Sequence, residues 1–75
     1  SEAESIVFTN REKEVIRLMN DGEAMVNIGK SLNLHIKTIY QIRLTLIKKL
    51  GCSGRTDFFN ISRSETFKAW TQQNF

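Results

Sequence analysis

The chain contains no proline in 75 residues, and its apolar residues recur at intervals of three and four instead of alternating with polar ones. Proline is the strongest helix breaker, whereas strict alternation is typical of half-buried strands. Both observations favour helices along the whole chain. We therefore predict an all-α fold in which short turns separate the helices.

Cap and turn residues divide the chain into segments. Thr9 and Glu12 have the spacing of a capping box, which begins a helix. Asp21 and Gly22 supply a stop for that helix. Gly29 lies inside a helical pattern, where glycine costs about 1 kcal/mol relative to alanine, so either the position is loosely constrained or another helix packs too closely there for a β-carbon. Gly51 suits a left-handed helix end. The predicted helices cover about 10–20, 24–31 and 36–50, a fourth begins near Arg55 or Thr56 with Ser53 or Thr56 as its cap, and the tail 63–75 is helical or irregular.

Size and composition exclude several functions. A single domain of 75 residues has little room for a deep substrate cavity, and its one cysteine cannot form an internal disulfide or a structural zinc site. No sequence pattern for a catalytic centre is found, so we predict no enzymatic activity, cofactor, metal or small-molecule ligand. No apolar run is long enough to span a membrane, and residues 1–4 form a short acidic and polar lead unlike a signal peptide. We expect a cytoplasmic location.

The charges are unevenly distributed. Residues 1–34 hold six acids and four bases, whereas residues 35–75 hold seven bases and two acids. The stretch 35–50 has four bases and no acid. Such a stretch is usually a solvated surface, but it also suits a polyanionic partner.

The third predicted helix has two different faces. With successive residues 100° apart, one side is an apolar stripe that we expect in the core, and the opposite side carries lysines and an amide. A short helix, a tight turn and a longer helix with a basic outer face are typical of a helix-turn-helix. The pattern alone leaves DNA binding and a helical adaptor as equal alternatives. The core stripe is Ile39, Ile42, Leu46 and Leu50, and the outer face is Lys37, Gln41, Leu44 and Lys48.

Two blocks of sequence resemble the LuxR-type (GerE) DNA-binding domain. Residues 8–19, FTNREKEVIRLM, resemble its opening L-T-x-R-E-x-E-V-L. Further on, KTI, LIKKLG and RTD resemble its K-T-V, I-L-x-K-L-G and R-T-E. The resemblance covers about residues 8–62. It implies a four-helix domain of a bacterial transcription regulator, so we expect residues 1–75 to be the single carboxyl-terminal effector domain of a longer protein.

The resemblance also implies functional residues and partners. Helix three would enter the major groove of double-stranded DNA, and helix four would mediate a homodimer or a heterodimer with a related regulator. Gln41 suits adenine, and lysines suit guanine edges or phosphates. The expected DNA-binding residues are Lys37, Thr38, Tyr40, Gln41, Leu44, Thr45 and Lys48, and the expected dimerisation residues are Phe58, Phe59 and Ser62.

Some positions depart from the family pattern. Ala24 stands where a Ser or Thr usually caps helix two, His35 where a Ser usually caps helix three, and Tyr40 where a Lys is usual. These changes remove expected phosphate contacts. The alternative function is therefore a protein-interaction module of the same fold that binds DNA weakly or only with a partner regulator.

Several side chains have two open roles. Tyr40 would either reach a base or stack on helix two, and Arg43 would either pack its stem or bind phosphate. Phe58 and Phe59 would lie in the core or in a dimer interface. Cys52 would pack as a small apolar residue or take part in redox chemistry. Trp70 and Phe75 would pack on helix one, cover another part of the regulator or stay mobile.

Overall fold

The computed structural model describes residues 6–75, and within that range it contains helices and no strand. The all-α prediction is confirmed, and residues 6–75 form five helices: the four expected ones and a fifth in the tail, which the sequence had left as helical or irregular. The polar lead at residues 1–4 lies outside the described range. None of the helices among residues 6–75 is long and apolar enough to cross a membrane. The helices are α1 (Asn10–Asn20), α2 (Met25–Ser31), α3 (Ile36–Lys49), α4 (Arg55–Ser62) and α5 (Glu65–Asn74).

The predicted capping box begins α1. The Thr9 hydroxyl accepts a hydrogen bond from the Glu12 amide at 3.1 Å, and the Thr9 amide donates to the Glu12 carboxylate at 2.8 Å. These two bonds satisfy backbone donors that the helix itself leaves free. The inner side of α1 supplies Val15, Ile16 and Met19 to the core.

Close packing is observed at Gly29, where α2 meets the turn that follows it. A β-carbon built on Gly29 would lie 3.3 Å from the Leu34 carbonyl oxygen and 3.5 Å from Ile39 of α3. Leu34 also donates its amide to the Gly29 carbonyl at 2.8 Å. Glycine therefore allows α2, the turn and α3 to pack closely at the point that sets their relative placement.

Helix α4 begins at Arg55 as predicted, but its cap differs from the prediction. Neither Ser53 nor Thr56 caps the helix, since Gly54 occupies the cap position without a side-chain bond. Instead, the Asp57 carboxylate accepts a hydrogen bond from the Ser53 amide at 2.8 Å. An acid in the first turn also interacts favourably with the positive end of the helix dipole.

The tail forms α5 and packs against the start of the domain. Ser64 caps α5 by accepting from the Phe67 amide at 3.1 Å. Trp70 and Phe75 lie edge-on to the Phe8 ring, with centroids 6.3 and 5.6 Å away. Of the roles open for these two aromatic residues, packing beside the start of helix one is therefore observed. The buried apolar core comprises Phe8, Val15, Ile16, Met19, Ile28, Ile39, Leu46, Ile47 and Phe58.

Candidate nucleic-acid interface

The inner face of α3 anchors the helix in the core. Ile39 and Leu46 are fully buried, and Ile47 is nearly so. Ile42 and Leu50 are half-buried and pack against the same core. The predicted stripe is thus confirmed, with Ile47 added. Its burial fixes which side of α3 faces solvent.

His35 begins α3 as the predicted helix-start residue. Its Nδ1 atom accepts a hydrogen bond from the Lys37 amide at 3.1 Å. At the other end, Gly51 has a φ of +68°, which is the left-handed conformation expected after the last turn. Both ends of α3 are therefore fixed by local interactions.

Lys49 connects the end of α3 to the start of α1. Its Nζ atom lies 2.7 Å from the Glu12 carboxylate and 2.9 Å from the Val7 carbonyl oxygen. Burial alone would raise the pKa of Glu12, but the bonds from Lys49 and Thr9 outweigh it and lower that pKa below its ordinary value. Lys49 thus acts in the fold, although the sequence also allowed a phosphate contact or a solvated position.

The outer face of α3 is open to solvent. All seven expected DNA-binding side chains are exposed, including the large Tyr40 and Leu44, with 42% and 47% of their surface accessible. The helix carries three Lys and one Arg and no acid. At 1.5 Å per residue its 14 residues extend about 21 Å, and a helix fits the B-DNA major groove, which is about 12 Å wide. The exposed residues are Lys37, Thr38, Tyr40, Gln41, Leu44, Thr45 and Lys48.

Tyr40 contacts a cation on its own helix. The Arg43 guanidinium carbon lies 4.6 Å from the centroid of the Tyr40 ring. A guanidinium over an aromatic face is a favourable cation–π arrangement. Arg43 is half-buried, and its guanidinium lies beside the exposed Tyr40 at the edge of the outer face.

The three expected dimerisation residues lie in different environments. Phe58 and Ser62 are buried inside the domain, with 1% and 0% of their surface exposed. Phe59 is 55% exposed. Phe58 and Ser62 face the domain's own interior. A contact between subunits made by α4 would therefore involve Phe59.

The amino terminus of α2 has no side-chain cap. Ala24 occupies the cap position and makes no side-chain hydrogen bond. A helix without a cap leaves backbone donors to solvent or to a ligand, at a cost of about 1 kcal/mol. This observation agrees with the departure of the sequence from the family pattern at this position.

A groove lined by arginines lies beside the amino terminus of α2. It was not predicted from the sequence. It has a volume of about 390 Å³ and runs between the end of α1, α2, α3 and α4. Its arginines lie far apart in the chain, so no local pattern pointed to it. The lining residues are Met19, Ala24, Met25, Arg43, Arg55, Thr56, Phe58, Phe59 and Arg63.

Cys52 shows no sign of an activated thiol. It is a half-buried free cysteine next to the core. Burial raises the pKa of its thiol, and the nearby negative charge of Asp57 raises it further. Both effects disfavour the reactive thiolate. No group of side chains suited to a metal ion occurs among residues 6–75.

A short α2, a tight turn closed on Gly29 and a longer α3 with an exposed basic face together define a helix-turn-helix domain. Comparison with protein families matches residues 6–62 to GerE, described as bacterial regulatory proteins of the luxR family. The chain belongs to this family, a group of DNA-binding domains of transcription regulators. No curated protein and no solved structure matched the chain.

Proposed function

We propose that this domain regulates transcription by placing α3 in the major groove of double-stranded DNA. The observation that carries the proposal is the division of α3 into a buried apolar stripe and an acid-free outer face. All seven expected contact residues lie on that exposed surface. Family membership supports the same activity.

In this proposal the side chains of the outer face have different tasks. Gln41 lies near the middle of the exposed surface and offers the amide that pairs with adenine through two hydrogen bonds. Lys37 and Lys48 lie one at each end of α3 and bind phosphates, which fixes the position of the helix without reading sequence. Leu44 and Thr45 offer apolar and hydroxyl contacts to base edges.

The experiment compares Gln41→Ala with Lys48→Ala. Duplexes selected from a random pool are bound to the labelled chain, and affinity is followed by fluorescence anisotropy over a series of salt concentrations. Lys48→Ala should weaken all duplexes similarly and reduce the salt slope by about one. Gln41→Ala should relax preference at one base pair, with a loss of about 1–3 kcal/mol in discrimination.

Lys68→Ala is the matched control because it removes the same charge from α5. It should leave the affinity, the salt slope and the sequence preference unchanged. If Lys48→Ala behaves like Lys68→Ala and Gln41→Ala keeps full discrimination, the outer face of α3 is not the DNA-binding surface.

We also propose that α4 supplies a contact between two regulator subunits, centred on the exposed Phe59. In a dimer, each α3 would read one half-site, with centres about 34–36 Å apart along the duplex. Sedimentation of the wild type and of Phe59→Ser tests this contact, since loss of the aromatic ring should weaken association. Unchanged association would place the contact elsewhere. A cytoplasmic location follows from the same proposal, because the DNA to be regulated is there.

A second candidate function is a protein-interaction module of the same fold. The uncapped start of α2 at Ala24 favours it, since the family's usual capping side chain is missing there. The two functions respond differently to salt. DNA affinity should fall steeply as salt rises, whereas an apolar protein contact should change little.

A further inference from the structure

The arginine-lined groove combines an apolar floor with three cations. Met19 and Phe58 are almost completely buried and form the floor together with the partly buried Met25. Arg43 comes from α3, whereas Arg55 and Arg63 come from the start and the end of α4. No Asp or Glu lines the groove.

Among the described residues, the positive charge of Arg63 is in contact with neutral groups. Its guanidinium donates to the Glu23 carbonyl oxygen at 2.8 Å and to the Ser62 hydroxyl at 3.4 Å, and it lies 4.1 Å from the Phe59 ring centroid. These neighbours are neutral groups. Arg63 is half-buried, and this partial burial lowers the pKa of its guanidinium.

Among residues 6–75, the other two arginines also have no carboxylate partner. Within residues 6–75, no salt bridge joins Arg43, Arg55 or Arg63 to an acid. Cations beside buried apolar surface are usually paired, because desolvating an unpaired charge is costly. An anionic group bound in this groove would therefore gain more than one bound at an ordinary exposed arginine.

We propose that this groove is a docking site for an acidic segment of a different protein, one that carries carboxylates around a large apolar side chain. The apolar side chain would cover the floor formed by Met19, Met25 and Phe58. Carboxylates would pair with the guanidinium groups, whose planar geometry matches a carboxylate through two parallel bonds. The inference goes beyond the proposed function and does not require DNA binding. It shares Phe59 with the proposed contact between subunits, so the acidic segment and a second copy would compete for this side of α4.

A second copy of this chain would not supply the anions that this groove lacks. A two-fold contact centred on Phe59 can use the aromatic ring, but no acid is among the groove residues that it would bring together. The guanidinium groups of Arg55 and Arg63 would stay without carboxylates in such a contact. Charge complementarity therefore favours, for the groove itself, a partner that brings its own acids.

The probe is a short synthetic peptide with a Phe-Leu pair flanked on each side by two glutamates. Two matched peptides separate its features: one replaces every glutamate by glutamine, and the other replaces the Phe-Leu pair by two serines. Each is titrated into the ¹⁵N-labelled chain while amide shifts are recorded. We expect the first peptide to shift Met25, Phe59 and Arg63 and to bind more tightly than both controls.

Arg55→Gln tests the charge requirement, because Arg55 is exposed and its loss leaves the floor intact. It should weaken binding of the acidic peptide by about two- to fivefold, which is the range expected for the loss of a single partly exposed ion pair. Lys30→Gln removes an exposed charge from α2 outside the groove and should leave peptide affinity unchanged.

Several results would overturn the proposal. One is equal binding of the acidic and glutamine peptides, and another is full affinity in Arg55→Gln. Shifts of Met25 and Arg63, and not of Phe59 alone, that grow with protein concentration and are not increased by the peptide would assign the groove to a second copy. Groove shifts produced mainly by duplex DNA would assign it to DNA. If the peptide fails while α3 amides respond to DNA, only the docking site is wrong. If the peptide binds while α3 stays silent, the proposed DNA binding is wrong.

Discussion

Replacing Lys49 by methionine should loosen the attachment of α3 to α1. Lys49→Met keeps the apolar stem but removes the ammonium group that contacts the Glu12 carboxylate at 2.7 Å and the Val7 carbonyl at 2.9 Å. Glu12 would keep its hydrogen bond from the Thr9 amide. The variant therefore tests the connection between the two helices separately from the cap of α1.

The structure sets the expected magnitude between two limits. Exposed ion pairs contribute about 0.2–1 kcal/mol, whereas removing one partner of a fully buried pair costs about 3–5 kcal/mol. Here the Glu12 side chain is 8% exposed and that of Lys49 is 30% exposed. We expect a loss of about 1–2 kcal/mol, a large share of the roughly 4–11 kcal/mol typical of a domain of this size.

Urea unfolding followed by Trp70 fluorescence measures this loss, since the indole packs beside Phe8 next to the contact. With a slope of about 1 kcal/mol per molar urea, the midpoint should fall by about 1–2 M. Glu12→Gln completes a double-mutant cycle that isolates the coupling between the two side chains. If Lys49→Met costs the same in the presence and absence of the Glu12 carboxylate, the ion pair contributes nothing and the reasoning is refuted.

The same pair predicts how stability depends on pH. The folded-state pKa of Glu12 lies below its ordinary value of 4.5, so the carboxylate stabilises the fold at every pH above that value. This contribution is lost as the pH falls through the folded-state pKa. The stability difference between wild type and Glu12→Gln should thus be constant near neutral pH and shrink below about pH 4.5. A difference that grows on acidification would contradict the assigned direction.

Two further changes test the ends of the helices. Ala24→Ser should supply the missing cap of α2 and stabilise the domain by about 1 kcal/mol, seen as a higher urea midpoint; an unchanged midpoint would show that the start of α2 is satisfied in another way. Removing residues 65–75 should expose Phe8 and cost about 3–5 kcal/mol, measured by circular dichroism during thermal unfolding, since each large buried side chain contributes about 1.5–3 kcal/mol. A truncated chain that unfolds at the same temperature would show that α5 is dispensable to the fold.

Local signals were enough to predict α1 to α3 and the start of α4. The capping box at Thr9 and the left-handed Gly51 act within one helical turn, so the adjacent sequence contains what the backbone needs. The outer face of α3 also followed from local periodicity, because burial of Ile39 and Leu46 determines the opposite side.

Features that depend on distant residues were left open or missed. Ser64, with Phe67 three residues later, was an available start signal for α5, but the sequence left the tail as helical or irregular, since Trp70 of this helix packs against Phe8 from the other end of the chain. Lys49 likewise finds its partner in Glu12, 37 residues away. Neither pairing has a periodic signature, and the same holds for the arginine-lined groove.

The side chains on the exposed face of α3 contribute little to the stability of the domain. Among residues 6–75, none of its seven side chains donates or accepts a hydrogen bond with another element, and Tyr40 makes a cation–π contact with Arg43 of the same helix. Stability comes from the opposite side of the helix and from Lys49. The seven positions can therefore be exchanged as a set, so that one unchanged scaffold could be given the DNA preference of another regulator by grafting a single helical surface.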